Sequence, residues 1–182
     1  NIMSKYIMGI ESSCDDTGVA IIKDEKELLA NVVSSQIDVH AKYGGVMPEI
    51  ASRLHAENIT ICIEKALNDA NLTFKDLSAV AVTSGPGLIG ALHVGLQAAK
   101  TISLVHDIPL ISVHHLAGHI YANNFEGEIK YPCLALIVSG GNSEIVYMED
   151  ELKFKVIGQT IDDAIGECID KVARIIGLPY PG

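Results

Sequence analysis

Tryptophan is absent from this 182-residue chain, and aromatic residues make up only 5% of it. The core must therefore be built from Ile, Val, Leu and Ala, within a chain that is 48% hydrophobic. No apolar run approaches the roughly 18 to 20 residues that span a bilayer. No charged-then-apolar leader precedes the first predicted strand, and Asn1 and Ile2, ahead of Met3, are left out of the fold prediction. We therefore expect a soluble, cytoplasmic protein with no membrane partner.

Cysteine is also scarce and never occurs as a CxxC pair. The four cysteines are spread along the chain, a pattern that argues against a disulfide framework and against a cysteine-based zinc site. Cys62 and Cys168 fall in helical patterns and are predicted to be small core residues.

Basic residues are outnumbered, with 13 Lys and Arg against 23 Asp and Glu and a net charge of −10. Nucleic-acid binding depends on Lys and Arg that neutralise phosphates. If a nucleic acid is the substrate, further sequence or partner proteins must supply much of the basic surface.

The first part of the chain predicts a mixed sheet with helices on both faces. Three apolar segments joined by polar turns form a meander, and helix and strand patterns then alternate. The predicted strands are 6–11, 19–22, 28–36, 79–83 and 110–113, and the predicted helices are 46–71, about 90–106 and 114–123.

The strand–loop–strand pattern restarts after residue 130. Strands are predicted at 133–138, 144–148 and 154–158, followed by a helix at 162–176. Tandem copies of this kind build the two lobes of actin-like (ribonuclease H-like) ATPases, in which each lobe offers a phosphate loop to a nucleotide. We expect an α/β actin-like fold with a complete first lobe over residues 3–124 and an incomplete second lobe over 131–182.

A GxGxxG pattern at 85–90 lies between a strand and a helix. A dinucleotide fingerprint would follow the first strand of a βαβ unit, whereas this one follows the fourth, and the next strand ends in His114 rather than an acid. Ala91 and Leu92 replace the Lys and Ser/Thr of a Walker loop. Two interpretations stay open: a tight turn in which Gly90 and Gly95 allow close packing of the helix, or a segment lining a cleft.

His115 and His119 are four residues apart on a predicted helix, so both imidazoles leave one face about one turn apart. This spacing favours a two-histidine metal site. A zinc protease would need Glu directly after the first histidine, where this chain has Leu116. Two histidines with a distant carboxylate would suit iron or zinc and leave positions for substrate oxygens. The isolated histidines are assigned to surface or helix positions: His40, His55, His93 and His106.

Acids and small residues mark three further segments. Asp15 and Asp16 lie in the first inter-strand loop, where solvated turn residues are the simpler interpretation and a cleft-facing role the alternative. Ile137–Gly141 places small residues at a strand end, where backbone N–H groups can approach an anion. In the last predicted helix, Asp163, Glu167 and Asp170 share a face with Gly166, and capping and cleft-facing roles both stay open.

Together these segments resemble the TsaD family of tRNA N6-adenosine threonylcarbamoyltransferases, once labelled O-sialoglycoprotein endopeptidases. The matching stretches run in family order over nearly the whole chain: GIESSCDDTGVAI, YGGVMPEIASRLH, TSGPGLIGALHVG, VHHLAGH, LIVSGGNSEIV and IDDAIGECIDKVARIIGLPYPG. The resemblance implies transfer of threonylcarbamoyl from threonylcarbamoyl-adenylate to N6 of adenosine 37 in tRNAs reading codons that begin with A.

The resemblance also implies a set of site residues and partners. The family's metal ligands fall on His115 and His119, with one divalent ion per subunit and iron favoured over zinc. Its adenylate-binding segment falls on Ile137, Val138, Ser139, Gly140 and Gly141, a further ligand-binding acid on Asp170, and the acidic pair of its first loop on Asp15 and Asp16. A TsaB-like paralogue and a TsaE-like ATPase are the expected partners besides tRNA.

Three departures from the family pattern stand out. Asp16 replaces a usual Glu, and Asn142 replaces a usual His. The family's third metal ligand, an Asp, lies beyond Gly182, so we expect this chain alone to be inactive. The incomplete second lobe should leave a sheet edge and an apolar face uncovered, so we also expect self-association. The alternatives are another actin-like phosphotransferase, which has no need of the histidine pair, and a binding scaffold resembling TsaB.

Overall fold

The computed structural model describes residues 4–182; Met3, the first residue of the predicted first lobe, lies outside them. Two compact units form. Unit 1 comprises the residues up to His40 together with Val46–Gly118, and unit 2 comprises Ala41–Gly45 and His119–Gly182. The lobe boundary expected between residues 124 and 131 stays a prediction.

Unit 1 contains a five-stranded mixed sheet, in which the first three strands form the expected antiparallel meander and the last two run parallel to the first. Its spatial order is β3-β2-β1-β4-β5. The strands are β1 Tyr6–Glu11, β2 Asp16–Lys23, β3 Glu27–Ser35, β4 Ala79–Gly85 and β5 Leu110–His114.

Among the described residues, four α-helices lie between or directly after these strands, and the two long ones pack together on one face of the sheet rather than on both faces as predicted. The four are α1 Ile37–Ala41, α2 Pro48–Ala70, α3 Ile89–His106 and α4 His115–Tyr121. Pro48 opens α2, where its missing N–H costs nothing, and α2 and α3 each end at a left-handed residue, Asn71 and Asp107. The short α1 was not predicted, because five residues are too few to show helical periodicity.

The core of unit 1 lies between the sheet and helices α2 and α3. Alternate residues of β1, β2 and β4 face it, as the period of a strand requires. Its members are aliphatic, as the composition predicts: Met8, Ile10, Val19, Ile21, Val80 and Val82 from the sheet, with Ile59, Ile63, Leu67, Ala99 and Ile102 from the helices.

Close packing explains the GxGxxG segment and the glycine that follows it. A Cβ on Gly87 would lie 2.7 Å from the Ser13 carbonyl oxygen, one on Gly90 2.5 Å from Ser52 Oγ, and one on Gly95 2.5 Å from Ser12 Oγ. These distances are too short for any side chain, so the glycines seat α3 against the first loop, β1 and α2. The packing interpretation is confirmed, and the Gly87 contact also ties this segment to the loop that carries Asp15.

Unit 2 contains the predicted second copy of the meander. Strands β6 Cys133–Val138, β7 Ser143–Asp150 and β8 Lys153–Gln159 form an antiparallel sheet, followed by α5 Ile165–Ile175. The predicted start of α5 was three residues early, because Ala164 is the extended N-cap residue. Asp163 therefore precedes the helix, where its carboxylate lies 2.6 Å from Lys171 Nζ, and only Glu167 and Asp170 keep their predicted positions on it.

Three further outcomes concern burial and hydropathy. Cys62 is buried as predicted, but Cys168 is exposed, because α5 buries only one of its residues, Ala173. His40 and His55 lie on helices as expected, yet both are completely buried, because hydrogen bonds satisfy their rings. Within residues 4–182, no helix has the length and apolar character to cross a bilayer.

Candidate functional site

The carboxyl ends of three neighbouring parallel strands bring the candidate residues of unit 1 together. Glu11 ends β1, Thr83 lies near the end of β4, and His115 directly follows β5. Because β1, β4 and β5 are parallel and adjacent, these residues reach the same edge of the sheet. Ligands bind in open α/β sheets at edges of this kind.

Glu11 and His115 form the central pair of this edge. His115 Nδ1 lies 3.0 Å from Glu11 Oε2 and 3.1 Å from Ser13 Oγ. The Thr83 hydroxyl donates to Glu11 Oε2 at 2.6 Å, and the backbone N–H of Ser13 donates to Glu11 Oε1. Both carboxylate oxygens therefore accept hydrogen bonds, and we call these four residues the Glu11 cluster.

The pKa of Glu11 is lowered to about 2. Burial acts in the opposite direction and is the largest single influence, but the hydrogen bonds from His115, Ser13 and Thr83 together outweigh it. Glu11 is therefore an ionised acceptor at neutral pH. The His115 side chain is 19% exposed and that of Glu11 38%, so the pair is reachable from solvent.

The cluster has the residue types of a serine hydrolase triad but not its geometry. A triad needs the serine on one imidazole nitrogen and the acid on the other. Here Ser13 and Glu11 both approach Nδ1, so His115 cannot take a proton from Ser13 through Nε2. Acyl-enzyme hydrolysis at Ser13 is not supported.

Asp15 and Asp16 lie in the same first loop as Ser13. Asp15 is half-buried, and Asp16 is the exposed first residue of β2. The loop is fixed through its backbone, since the Asp15 carbonyl accepts from Gln36 N–H and the Cys14 carbonyl from the ring of buried His55. The pKa of Cys14 is raised to about 12 by desolvation and by the adjacent Asp15 and Asp16 carboxylates, so its thiol is uncharged at neutral pH.

His119 lies one turn after His115 on α4, which confirms the helical spacing of the pair. Its surroundings are in unit 2. It lines a cavity of about 470 Å³ together with Ile137, Val138 and Ser139. The structure therefore brings one predicted metal ligand next to the predicted adenylate-binding segment.

The rest of that segment forms the tight turn between β6 and β7. Ser139 N–H donates to the Asn142 carbonyl at 2.8 Å, and Asn142 N–H donates to Ser139 Oγ at 3.0 Å. No atom lies within 4 Å of the position a Cβ would take on Gly140 or Gly141. Both glycines are exposed, so a ligand can approach the side of the turn that faces away from α5, as an anion-binding turn requires.

Helix α5 holds this turn from one side. A Cβ on Gly166 would lie 2.6 Å from the Ser139 carbonyl oxygen and 2.7 Å from Gly140 N. Asp170 is four residues further along the same helix face, and its Oδ1 accepts a hydrogen bond from Gly182 N–H at 2.8 Å. The close approach allowed by Gly166 is thus observed, and Asp170 lies on the helix that supports the turn.

Among the described residues, no group of three or more His, Cys, Asp and Glu is arranged to hold a metal ion. The chemistry of the two histidines nevertheless fits a metal. A ligating histidine generally has a carboxylate against its second ring nitrogen, and His115 Nδ1 lies 3.0 Å from Glu11 Oε2.

Glu11, Ser13 and Thr83 were not singled out by the sequence. Glu11 and Thr83 are polar residues near the ends of apolar strands, and Ser13 lies in the loop after the first strand. The sequence does not show which strands are neighbours in the sheet. Glu11 and His115 are 104 residues apart, and only the parallel pairing of β1, β4 and β5 makes them neighbours.

Comparison with known proteins identifies the family of this chain. Residues 27–182 match the family model for TsaD, tRNA N6-adenosine threonylcarbamoyltransferase. The chain is 58% identical to the enzyme of that name from Bacillus thuringiensis, over 100% of the chain and 53% of the relative. It is also 58% identical to that from Bacillus subtilis, over 97% of the chain and 51% of the relative. The chain thus spans about half the length of these curated relatives.

Solved structures share the fold at much lower sequence identity. YeaZ from Pseudomonas aeruginosa superposes with a TM-score of 0.55 at 14% identity, over 86% of this chain and 66% of that one. The ethanolamine utilization protein EutJ from Carboxydothermus hydrogenoformans gives 0.50 at 16% identity, over 96% of this chain and 58% of that one. The fold is therefore the actin-like one expected from the repeated meander.

Proposed function

Because this chain belongs to the TsaD family of tRNA N6-adenosine threonylcarbamoyltransferases, we propose that the intact protein transfers threonylcarbamoyl from threonylcarbamoyl-adenylate to N6 of adenosine 37 in tRNAs reading codons that begin with A. The observation that carries the proposal is the pairing of His115 with Glu11 at the carboxyl edge of the sheet. A phosphotransferase of the same fold has no need of a carboxylate-bound histidine followed by a second one turn later.

The reaction needs positioning more than activation. The N6 amine attacks the carbamoyl carbon, the bond from that carbon to the phosphate oxygen breaks, AMP leaves, and the amine loses a proton. The mixed anhydride is already reactive, so the protein contributes orientation and stabilisation of charge on the carbonyl and phosphate oxygens.

His115 and His119 would hold a divalent metal ion, with iron favoured over zinc. Such an ion stabilises negative charge that develops on substrate oxygens. Asp15 and Asp16 lie in or next to the loop that carries Ser13 of the Glu11 cluster. We assign them to positions facing the phosphate of the adenylate and the metal ion.

Ile137–Gly141 would bind the adenylate. The turn at Ser139–Asn142 leaves the backbone of Gly140 and Gly141 open, and its strand lines the cavity that also contains His119. Asp170, on the helix behind the turn, would complete this part of the ligand site.

The partners follow from charge and family. A net charge of −10 gives the chain little attraction for tRNA, so the intact protein would bind tRNA with a TsaB-like paralogue and a TsaE-like ATPase. We place this reaction in the cytoplasm.

An in vitro transfer assay tests the proposal. Intact protein, the two partners, threonylcarbamoyl-adenylate and unmodified tRNA should yield threonylcarbamoyl-adenosine in digested tRNA, detected by mass spectrometry. The 182-residue chain should give none under the same conditions, because its described residues supply too few ligands for a metal site. Absence of product with the intact protein, or equal turnover by the chain alone, would contradict the proposal.

A further inference from the structure

The acceptor character of the Glu11 carboxylate dictates which His115 nitrogen carries the proton. An ionised carboxylate accepts hydrogen bonds and donates none. Ser13 N–H and the Thr83 hydroxyl already donate to it, so the contact at 3.0 Å from His115 must also be a donated N–H. In the neutral ring, Nδ1 then holds the proton and Nε2 carries the lone pair.

We propose that Glu11 is the positioning residue for His115, fixing its orientation and its tautomer so that Nε2 is the nitrogen offered to a metal ion. Thr83 and Ser13 hold the carboxylate in place from both sides. The proposal rests on the metal role of His115 given above, and its experiment separates the two.

Glu11→Gln makes the decisive variant because the two side chains have the same shape. The Ser13 N–H still requires an acceptor, so the amide oxygen turns toward it. The amide NH2 group then faces His115 Nδ1, which must become an acceptor. The ring proton moves to Nε2, where it blocks metal binding.

The tautomer is measured directly by long-range ¹H–¹⁵N correlation spectra of the chain labelled with ¹⁵N-histidine, using His115→Gln to assign the ring. The wild-type ring should show the Nδ1–H tautomer, and Glu11→Gln should show Nε2–H. A wild-type ring protonated on Nε2 would overturn the proposal without any variant, so a failure of Glu11→Gln to fold does not remove the test.

Zinc titration provides the second readout. Glu11→Gln should weaken zinc binding to the intact protein by about 10–100-fold, the usual effect of losing a carboxylate behind a ligating histidine. Thr83→Val, which removes one donor to Glu11, should weaken it less. Glu149→Gln is the matched control, because Glu149 is an exposed glutamate on β7, and it should bind zinc as the wild type does.

The outcomes distinguish the two claims. If His115→Gln leaves zinc affinity unchanged, the metal role of His115 fails. If His115→Gln abolishes binding but Glu11→Gln matches Glu149→Gln in affinity and keeps the Nδ1–H tautomer, the metal role stands and the positioning role of Glu11 is wrong.

Discussion

His55 is completely buried on α2, and both of its ring nitrogens contact the first loop and the strand that follows. Nδ1 lies 2.7 Å from Thr17 Oγ1, and Nε2 lies 2.8 Å from the Cys14 carbonyl oxygen. The carbonyl can only accept, so Nε2 donates and Nδ1 accepts from Thr17. His55 is therefore the anchor that joins α2 to the loop of Asp15 and Asp16.

His55→Ala should lower the free energy of unfolding by at least about 2 kcal/mol, because it creates a cavity and leaves two buried polar groups without their partner. Urea unfolding of the chain measures this. His93→Ala, at an exposed position of α3, should change it by no more than about 0.5 kcal/mol. Equal losses in the two variants would show that the buried contacts of His55 contribute no stability.

The variant Asp15→Ala tests whether the Asp15 carboxylate acts in catalysis or only in the structure of the first loop. The fold uses its backbone carbonyl, so we expect Asp15→Ala to retain most of the stability of the intact protein. Threonylcarbamoyl transfer should fall more than about tenfold, which corresponds to 1.4 kcal/mol in the transition state. Glu57→Ala, at an exposed site on α2, should leave both unchanged. A parallel fall in activity and melting temperature would make Asp15 a turn residue only.

The sequence predicts the position of some elements and side chains better than that of others. The histidine pair is encoded within one helix, so spacing alone predicts it. The Glu11 cluster depends on a parallel pairing of β1 with β4 and of β4 with β5, which hydrophobic pattern does not specify. Among the predicted helix ends, the start of α5 was the least accurate. Residues 161–163 continue the apolar and acidic pattern of a helix, but they form a turn. In this turn Thr160 Oγ1 donates to the Asp163 carbonyl.

Helix α5 supports the β6–β7 turn through Gly166. Gly166→Ala would place its Cβ against backbone atoms of Ser139 and Gly140, which cannot move aside as a flexible side chain does. We expect a loss of about 1–3 kcal/mol in stability and shifted amide resonances for residues 139–142. Gly127→Ala, with open space around the position of its Cβ, is the control. Unshifted resonances in Gly166→Ala would contradict the close packing of helix and turn.

At the scale of the molecule, unit 2 exposes several large apolar side chains. Leu134 and Leu136 on β6 are 64% and 70% exposed, and they lie on one face because they are two residues apart. Apolar patches of this kind mark interaction surfaces or drive association. We therefore predict that the chain self-associates as its concentration rises.

Light scattering coupled to size-exclusion chromatography measures this association. The double variant Leu134→Lys with Leu136→Lys should remain monomeric at concentrations where the wild-type chain associates. Leu104→Lys changes an 83% exposed leucine on α3 in unit 1, and it should associate as the wild type does. A wild-type chain that stays monomeric throughout would refute the prediction.

The metal content of the intact protein tests the central claim most directly. We predict about one iron or zinc ion per chain in the purified wild type, and loss of most of it in both His115→Ala and His119→Ala, because removal of a ligand from a small ligand set is severe. His93→Ala should keep the wild-type content. Unchanged metal stoichiometry in both single variants would contradict the assignment of His115 and His119 as the metal ligands.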